Sequence, residues 1–142
     1  MTAKRFRFIT MRERSAGFYP APPGGLKMDM TVINADDELT HVKLRGRVDL
    51  DTIGDLDREF TRQTVTRRKD VIVDMSDVDY MASIGLRMLI TAAKALDKFG
   101  ASMVLLNPHP DVEDVLRTAG FDKVMPIEHD LESARKALRA RA

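Results

Sequence analysis

Short apolar strand patterns alternate with amphipathic helix patterns from Met28 onward. Apolar and polar residues alternate in the second strand pattern, which is typical of a half-buried strand. The third pattern is apolar almost throughout, which indicates a central strand buried on both faces. The last contains Pro126, which favours an edge position in the sheet. The predicted strands are residues 28–33, 39–48, 71–75, 101–106 and 124–127.

Four helices are predicted between and after these strands. Asp51 or Thr52 can cap the first helix, the second begins at Ser83 and ends at Gly100, and the fourth covers residues 131–138. Strands separated by helices imply crossover connections, so we predict an α/β fold with a mixed, mainly parallel sheet of about five strands and about four helices. The apolar residues at helical spacing are Ile53, Leu56, Phe60 and Val65 in the first helix, Leu86, Leu89, Ile90, Ala93 and Leu96 in the second, and Val112, Val115, Leu116 and Ala119 in the third.

The length of 142 residues fits one domain with a buried core. Residues 1–27 include a run rich in proline and glycine, and we predict a disordered basic extension there and a folded domain over residues 28–142. The chain has no cysteine, which excludes disulfides and thiolate chemistry and fits a cytoplasmic protein. No apolar run approaches the ~20 residues of a membrane helix, so no membrane association is expected.

The net charge of +1 conceals an asymmetry along the chain. Residues 1–27 hold six basic residues and one acidic residue, a net charge of +5, which leaves the remainder of the chain at −4. A mildly acidic body argues against direct nucleic-acid binding, because nucleic-acid domains present a basic face. A basic arm of this kind is usually solvated.

The sequence lacks the familiar catalytic and cofactor motifs. No glycine-rich phosphate loop follows the first strand, and no serine stands in a GxSxG elbow. His41, His109 and His129 fit no metal-ligand spacing and are expected to be ordinary surface or turn residues. We therefore predict no catalytic residue, no cofactor and no metal site.

Ser83 is the residue that most informs function, because it stands where an apolar strand gives way to an apolar helix. Its hydroxyl is expected in solvent at the positive end of that helix, where free N–H groups favour phosphate. Arg87 follows one helical turn later, within reach of a phosphate on the serine. An acidic rim of Asp74, Asp77 and Asp79 is expected beside Ser83, with Asp74 ending a strand.

Three segments of the chain resemble the STAS domain, and more narrowly the bacterial anti-sigma factor antagonists. They are Gly46–Thr52, Val71–Ser76 and Tyr80–Leu86, and they occur in the order and spacing of the family. The resemblance extends from about Met30 to Leu138, which is nearly everything except the basic extension.

This resemblance implies a cytoplasmic regulator of transcription that has no catalytic activity and acts by partner switching. The unphosphorylated protein binds an anti-sigma factor that is also a GHKL-type serine kinase, which frees the sigma factor. The kinase phosphorylates a serine at the start of the second long helix and ends binding, and a PP2C-type phosphatase reverses this. Ser83 occupies the place of that serine. The chain itself is expected to be a monomer or a weak homodimer.

The resemblance also implies the partner-binding surface. Asp49 matches the acidic residue of the family after the second strand, near the face presented to the kinase. The other expected contacts surround Ser83 in the sequence. The expected partner-binding residues are Asp49, Met81, Ala82, Ile84, Gly85 and Arg87.

Two residues depart from the family pattern, whose usual run is Asp-Ser-Ser/Thr-Gly. Ala82 replaces the carboxylate before the serine, and Ile84 replaces a second hydroxyl. These departures keep a second hypothesis open, in which the chain is a STAS subunit of another assembly (a stressosome-like scaffold, a secretion regulator or a lipid-transport accessory) that Ser83 does not control. A third hypothesis is an enzyme that uses the acidic rim with a metal ion.

Overall fold

The computed structural model describes residues 4–8 and 28–141 of the chain. Six strands and four α-helices follow one another in these ranges. The strands are β1 (Lys4–Phe8), β2 (Met28–Ala35), β3 (Leu39–Val48), β4 (Asp70–Met81), β5 (Met103–Leu106) and β6 (Ile127–Glu128). The helices are α1 (Ile53–Gln63), α2 (Ser83–Asp97), α3 (Pro110–Thr118) and α4 (Leu131–Arg141). Short 3₁₀ turns at Val65–Arg67 and Phe121–Lys123 complete the connections.

All six strands form one mixed sheet in which the spatial order follows the chain order, β1-β2-β3-β4-β5-β6. The first two pairings, β1 with β2 and β2 with β3, are antiparallel. The pairings of β3 with β4, β4 with β5 and β5 with β6 are parallel, and each parallel step is bridged by a helix. The predicted α/β fold with a mainly parallel mixed sheet is therefore confirmed.

The sheet separates two apolar cores. Alternate residues of the central strands point to opposite faces, so Val71 and Val73 join the larger core while Ile72 joins the smaller one. The larger core receives the apolar faces of α1, α2 and α3, and Phe60 and Leu89 in it are fully buried. The smaller core lies under α4. This packing fixes α2, and with it Ser83, against one face of the sheet.

Two differences from the sequence prediction concern the strands. Strand β4 continues to Met81, well past the predicted end at residue 75, because its later half still pairs with β3. The prediction of a disordered extension does not hold for residues 4–8, which pair with β2 and give the sheet one strand more than predicted. Residues 9–27 of that extension lie outside the described residues.

His41 differs from the prediction of a surface or turn residue. It lies within β3, its side chain is 91% buried, and its Nε2 has no hydrogen-bond partner among the residues that the structure describes. Burial lowers the pKa of His41, because the charged imidazolium would lose its hydration. We interpret His41 as a neutral core residue.

Within the described ranges, no helix is both long enough and apolar enough to cross a membrane.

Candidate functional site

The candidate site lies at the junction between the end of β4 and the start of α2. Met81 is the last residue of β4, Ser83 is the first residue of α2, and Ala82 between them is the N-cap in an extended conformation. The N–H of Ala82 donates a hydrogen bond to the carbonyl oxygen of Val48 at 2.8 Å, which ties this junction to the end of β3. Ser83 therefore begins the helix as predicted, but the N-cap position belongs to Ala82.

Ser83 is exposed to solvent at the N-terminus of a 15-residue helix. The carbonyl oxygen of Ala82 accepts hydrogen bonds from the N–H groups of Gly85 and Leu86, whereas Ala82 has no side-chain oxygen with which to cap the first turn. The first N–H groups of a helix have no partner within the helix, and the macrodipole adds positive potential there. Negative charge on Ser83 is therefore electrostatically favourable for the helix.

A surface groove of about 440 Å³ surrounds Ser83 and is called the Ser83 groove below. Its walls are largely apolar, and two of its residues expose unusually large apolar surface: Leu50 is 79% exposed and Tyr80 is 44% exposed. Exposed large apolar side chains gathered around one groove suit contact with another protein. The groove is lined by Leu50, Tyr80, Ala82, Ser83, Ile84 and Arg87.

Gly85 and Met81, both predicted partner contacts, lie beneath the groove rather than in its lining. Gly85 is buried, and a Cβ atom on it would lie 2.6 Å from Cγ1 of Val48 and 3.0 Å from Cγ of Met81. Glycine is thus the residue that lets the first turn of α2 pack against β3 and β4. Met81 is half-buried and packs against the larger core.

Asp49 organises the turn that carries Leu50 to the groove. Its Oδ1 accepts hydrogen bonds from the N–H groups of Asp51 (3.0 Å) and Thr52 (3.2 Å). The buried Thr52 hydroxyl in turn donates to the carbonyl oxygen of Arg47 at 2.9 Å. These bonds account for Asp49 as a turn residue, and the same turn leaves Leu50 pointing into solvent.

Arg47 supports the groove from the side of β3. Its guanidinium carbon lies 4.4 Å from the centre of the Tyr80 ring, a cation–π contact, and its Nε lies 3.6 Å from Oδ2 of Asp49. Neither Arg47 nor Leu50 was predicted as a site residue. An apolar residue between two aspartates in a turn, as in Asp49-Leu50-Asp51, is the sequence signal that could have indicated Leu50.

The structure does not place Asp74, the first residue of the predicted acidic rim, beside Ser83, whereas Asp79 lies two residues before the end of β4. Asp74 lies within β4 and not at its end, seven residues before Met81, or roughly 20 Å along an extended strand. Oδ1 of Asp74 accepts hydrogen bonds from the N–H and hydroxyl of Ser76, and Asp77 forms an ion pair with Lys43 at 3.2 Å. Within the described part of the chain, no group of His, Asp and Glu side chains is arranged to hold a metal ion.

The fold agrees with comparisons to known proteins. The family model of the STAS domain matches residues 30–134, well over half of the chain. This chain belongs to the STAS domain family. The match includes the turn at Asp49, all of β4 and the whole of α2, so the Ser83 groove lies entirely within the STAS domain.

Relatives of this STAS domain are named as anti-sigma factor antagonists. BtrV of Bordetella bronchiseptica is 29% identical over 96 residues, which are 68% of this chain and 83% of that protein. The solved structure of an anti-sigma factor antagonist from Mycobacterium paratuberculosis has a TM-score of 0.69 and 22% identity, and the match covers 84% of this chain and 99% of that one. Phosphorylated SpoIIAA from Bacillus has a TM-score of 0.60 and 18% identity, over 78% of this chain and 99% of the other.

Proposed function

We propose that this STAS domain is an anti-sigma factor antagonist that acts by partner switching. In its unphosphorylated form it binds an anti-sigma factor that is also a GHKL-type serine kinase, through the Ser83 groove. The kinase phosphorylates Ser83 and then dissociates from the phosphorylated chain. A PP2C-type phosphatase removes the phosphate and restores the form that binds. The chain acts by binding and not by catalysis.

The observation that carries this proposal is the exposed hydroxyl of Ser83 within an apolar groove at the start of α2. A kinase needs an accessible hydroxyl, and a binding partner needs exposed apolar surface. The groove supplies both within a few ångströms. The names of the relatives support the same function, and the structural neighbour SpoIIAA of Bacillus exists in a phosphorylated form.

Phosphorylation would end binding through charge and solvation at the interface. A phosphate adds about −1.5 to −2 charge at neutral pH, and burying so strongly hydrated a group against an apolar partner surface is costly. The helix itself tolerates the charge, because the phosphate sits at the positive end of the macrodipole. The fold therefore stays intact while the interface is lost, and no large conformational change is needed.

The predicted partner-binding residues fall into two groups: some are proposed to touch the partner, and the others to hold the groove residues in position. Ala82, Ile84 and Arg87 line the groove and are proposed to touch the partner. Asp49 is proposed to act through Leu50, which it positions. Gly85 and Met81 are proposed to act through the first turn of α2, Gly85 as part of that turn and Met81 as a residue packed against it. In this proposal, loss of Asp49 or Gly85 weakens binding by shifting the groove.

Paired baits test the proposed function. Purified chains carrying Ser83→Ala or Ser83→Asp are used to capture proteins from extracts of the native organism, and captured proteins are identified by mass spectrometry. We expect a GHKL-type kinase on the alanine bait that is absent from the aspartate bait. Retention of the same partners by both baits would refute control by Ser83 and would favour a role in another STAS assembly. The replacement of the capping carboxylate by Ala82 is the observation that keeps this second function open.

The apolar wall of the groove makes a separate prediction. We expect Tyr80→Ala to weaken binding of the captured kinase about tenfold, because exposed aromatic residues at the centre of an interface commonly contribute this much. Phe99→Ala is the matched control, since Phe99 is 47% exposed and lies outside the groove. Titration calorimetry measures both affinities. Equal effects of the two substitutions would place the interface elsewhere.

A further inference from the structure

Arg87 lines the Ser83 groove one helical turn after the proposed modification site. It is exposed, and it is the one charged side chain among the described residues that line the groove. Residues four apart on a helix are neighbours on its surface, with Cβ atoms about 5–6 Å apart. The guanidinium of Arg87 can therefore reach the oxygen atoms of a group attached to Ser83.

The ion pairs of the described residues leave Arg87 available. Arg47, the other arginine near the groove, is already held by Asp49 and by the ring of Tyr80. Arg87 forms no ion pair with any carboxylate of the described residues. A free guanidinium beside a phosphate forms charge-assisted, often bidentate hydrogen bonds, which a lysine cannot reproduce in geometry.

We propose that Arg87 binds the phosphate of phosphorylated Ser83 and so acts as the built-in counterion of the switch. This inference rests on the proposed modification of Ser83. When Ser83 is unmodified, the guanidinium of Arg87 is free to contact the partner within the groove. When Ser83 carries a phosphate, the same guanidinium turns to the phosphate and is withdrawn from the partner. Phosphorylation then removes a cation from the binding surface in addition to adding an anion.

The test is a ³¹P NMR titration of the full chain with phosphoserine incorporated at position 83 during translation. The second pKa of a phosphoserine is about 6, and a neighbouring cation lowers it because the cation favours the dianion. We expect this pKa to be about half a pH unit lower in the unaltered chain than in Arg87→Gln. The helix N-terminus acts equally on both proteins, so the difference isolates Arg87.

Two further variants make the result specific. Arg45→Gln removes the same charge from another exposed arginine that does not line the groove, and it should titrate like the unaltered chain. Arg87→Lys keeps the charge without the bidentate geometry and should lie between the unaltered chain and Arg87→Gln. The Nε–H signal of Arg87 in ¹⁵N spectra should also shift when Ser83 carries phosphate, which a purely structural role would not produce.

Equal phosphate titration in Arg87→Gln and the unaltered chain would overturn the inference, as would an equally large shift in Arg45→Gln. Because the phosphate is installed without a kinase, the titration reports on Arg87 whether or not the kinase of the proposed function exists. Failure of the paired baits would therefore contradict partner switching, and failure of the titration would contradict the role of Arg87.

Discussion

A phosphate on Ser83 is expected to lower the affinity of the chain for its anti-sigma factor by about 100-fold or more. The Ser83 hydroxyl lies inside the groove that we propose as the interface, so the partner would have to desolvate a group with nearly two negative charges. Truncating or mismatching one buried charge at an interface commonly costs ~2–5 kcal/mol, which corresponds to a loss of this size. Calorimetry with the phosphorylated and unphosphorylated chains measures it.

Control variants show whether a loss of affinity depends on a negative charge within the groove or on a negative charge anywhere on α2. Ser83→Ala should bind like the unmodified chain, and Ser83→Asp should lose a large part of the affinity with one negative charge. Thr91→Asp adds the same charge to an exposed position of α2 outside the groove and should change the affinity little. If Thr91→Asp weakened binding as much as Ser83→Asp, the effect would come from net charge and not from the groove.

Gly85→Ala is expected to destabilise the fold by about 1–2 kcal/mol and to weaken partner binding. The added Cβ would lie 2.6 Å from Cγ1 of the fully buried Val48, so the first turn of α2 must move away from the sheet. Overpacking of this kind costs ~1–3 kcal/mol, and the better helix propensity of alanine offsets up to about 1 kcal/mol of it. Urea unfolding measures the change in stability.

Two companion substitutions show whether the contact with Val48 is the cause. Gly54→Ala, in α1, meets no atom within 4 Å and should be neutral or slightly stabilising. Val48→Ala removes the methyl groups in the way, so adding Gly85→Ala to it should cost little further stability. An equal cost of Gly85→Ala in both backgrounds would contradict the close-packing explanation.

Much of the architecture could be predicted from the sequence because each element has a strong local signal. The bounds of β3 match the alternating pattern of residues 39–48, and the start of α2 at Ser83 matches the change from strand to helix periodicity. The position of Ser83 directly after a central strand and at the start of a helix followed from the same local change. These features depend on period and composition, which a single sequence contains.

The parts that could not be predicted depend on pairing between distant segments. Strand β4 extends to Met81 because the second half of β3 continues to pair with it, although its own residues become polar after Met75. That extension moves Asp74 away from Ser83, so the predicted acidic rim loses this residue. The burial of His41 likewise depends on the elements packed over β3, and no local pattern distinguishes it from an exposed histidine.

The groove residues show the same division. Ile84 and Arg87 could be predicted because they adjoin Ser83 in the sequence. Leu50 reaches the groove from the turn after β3, more than thirty residues earlier, where the parallel pairing of β3 and β4 brings Val48 opposite Met81. Sequence proximity thus grouped Ser83 with the neighbouring residues of its helix, whereas the opposite wall of the groove required the sheet register.

We propose that a kinase controls this STAS domain through Ser83. To test this, the chain is incubated with Mg-ATP and the kinase captured on the alanine bait, and the phosphate is then located by mass spectrometry of peptides. We predict a single phosphate on Ser83 and none on the Ser83→Ala chain. A chain that stays unmodified, or a phosphate on another residue such as Ser76 or Ser133, would contradict the claim.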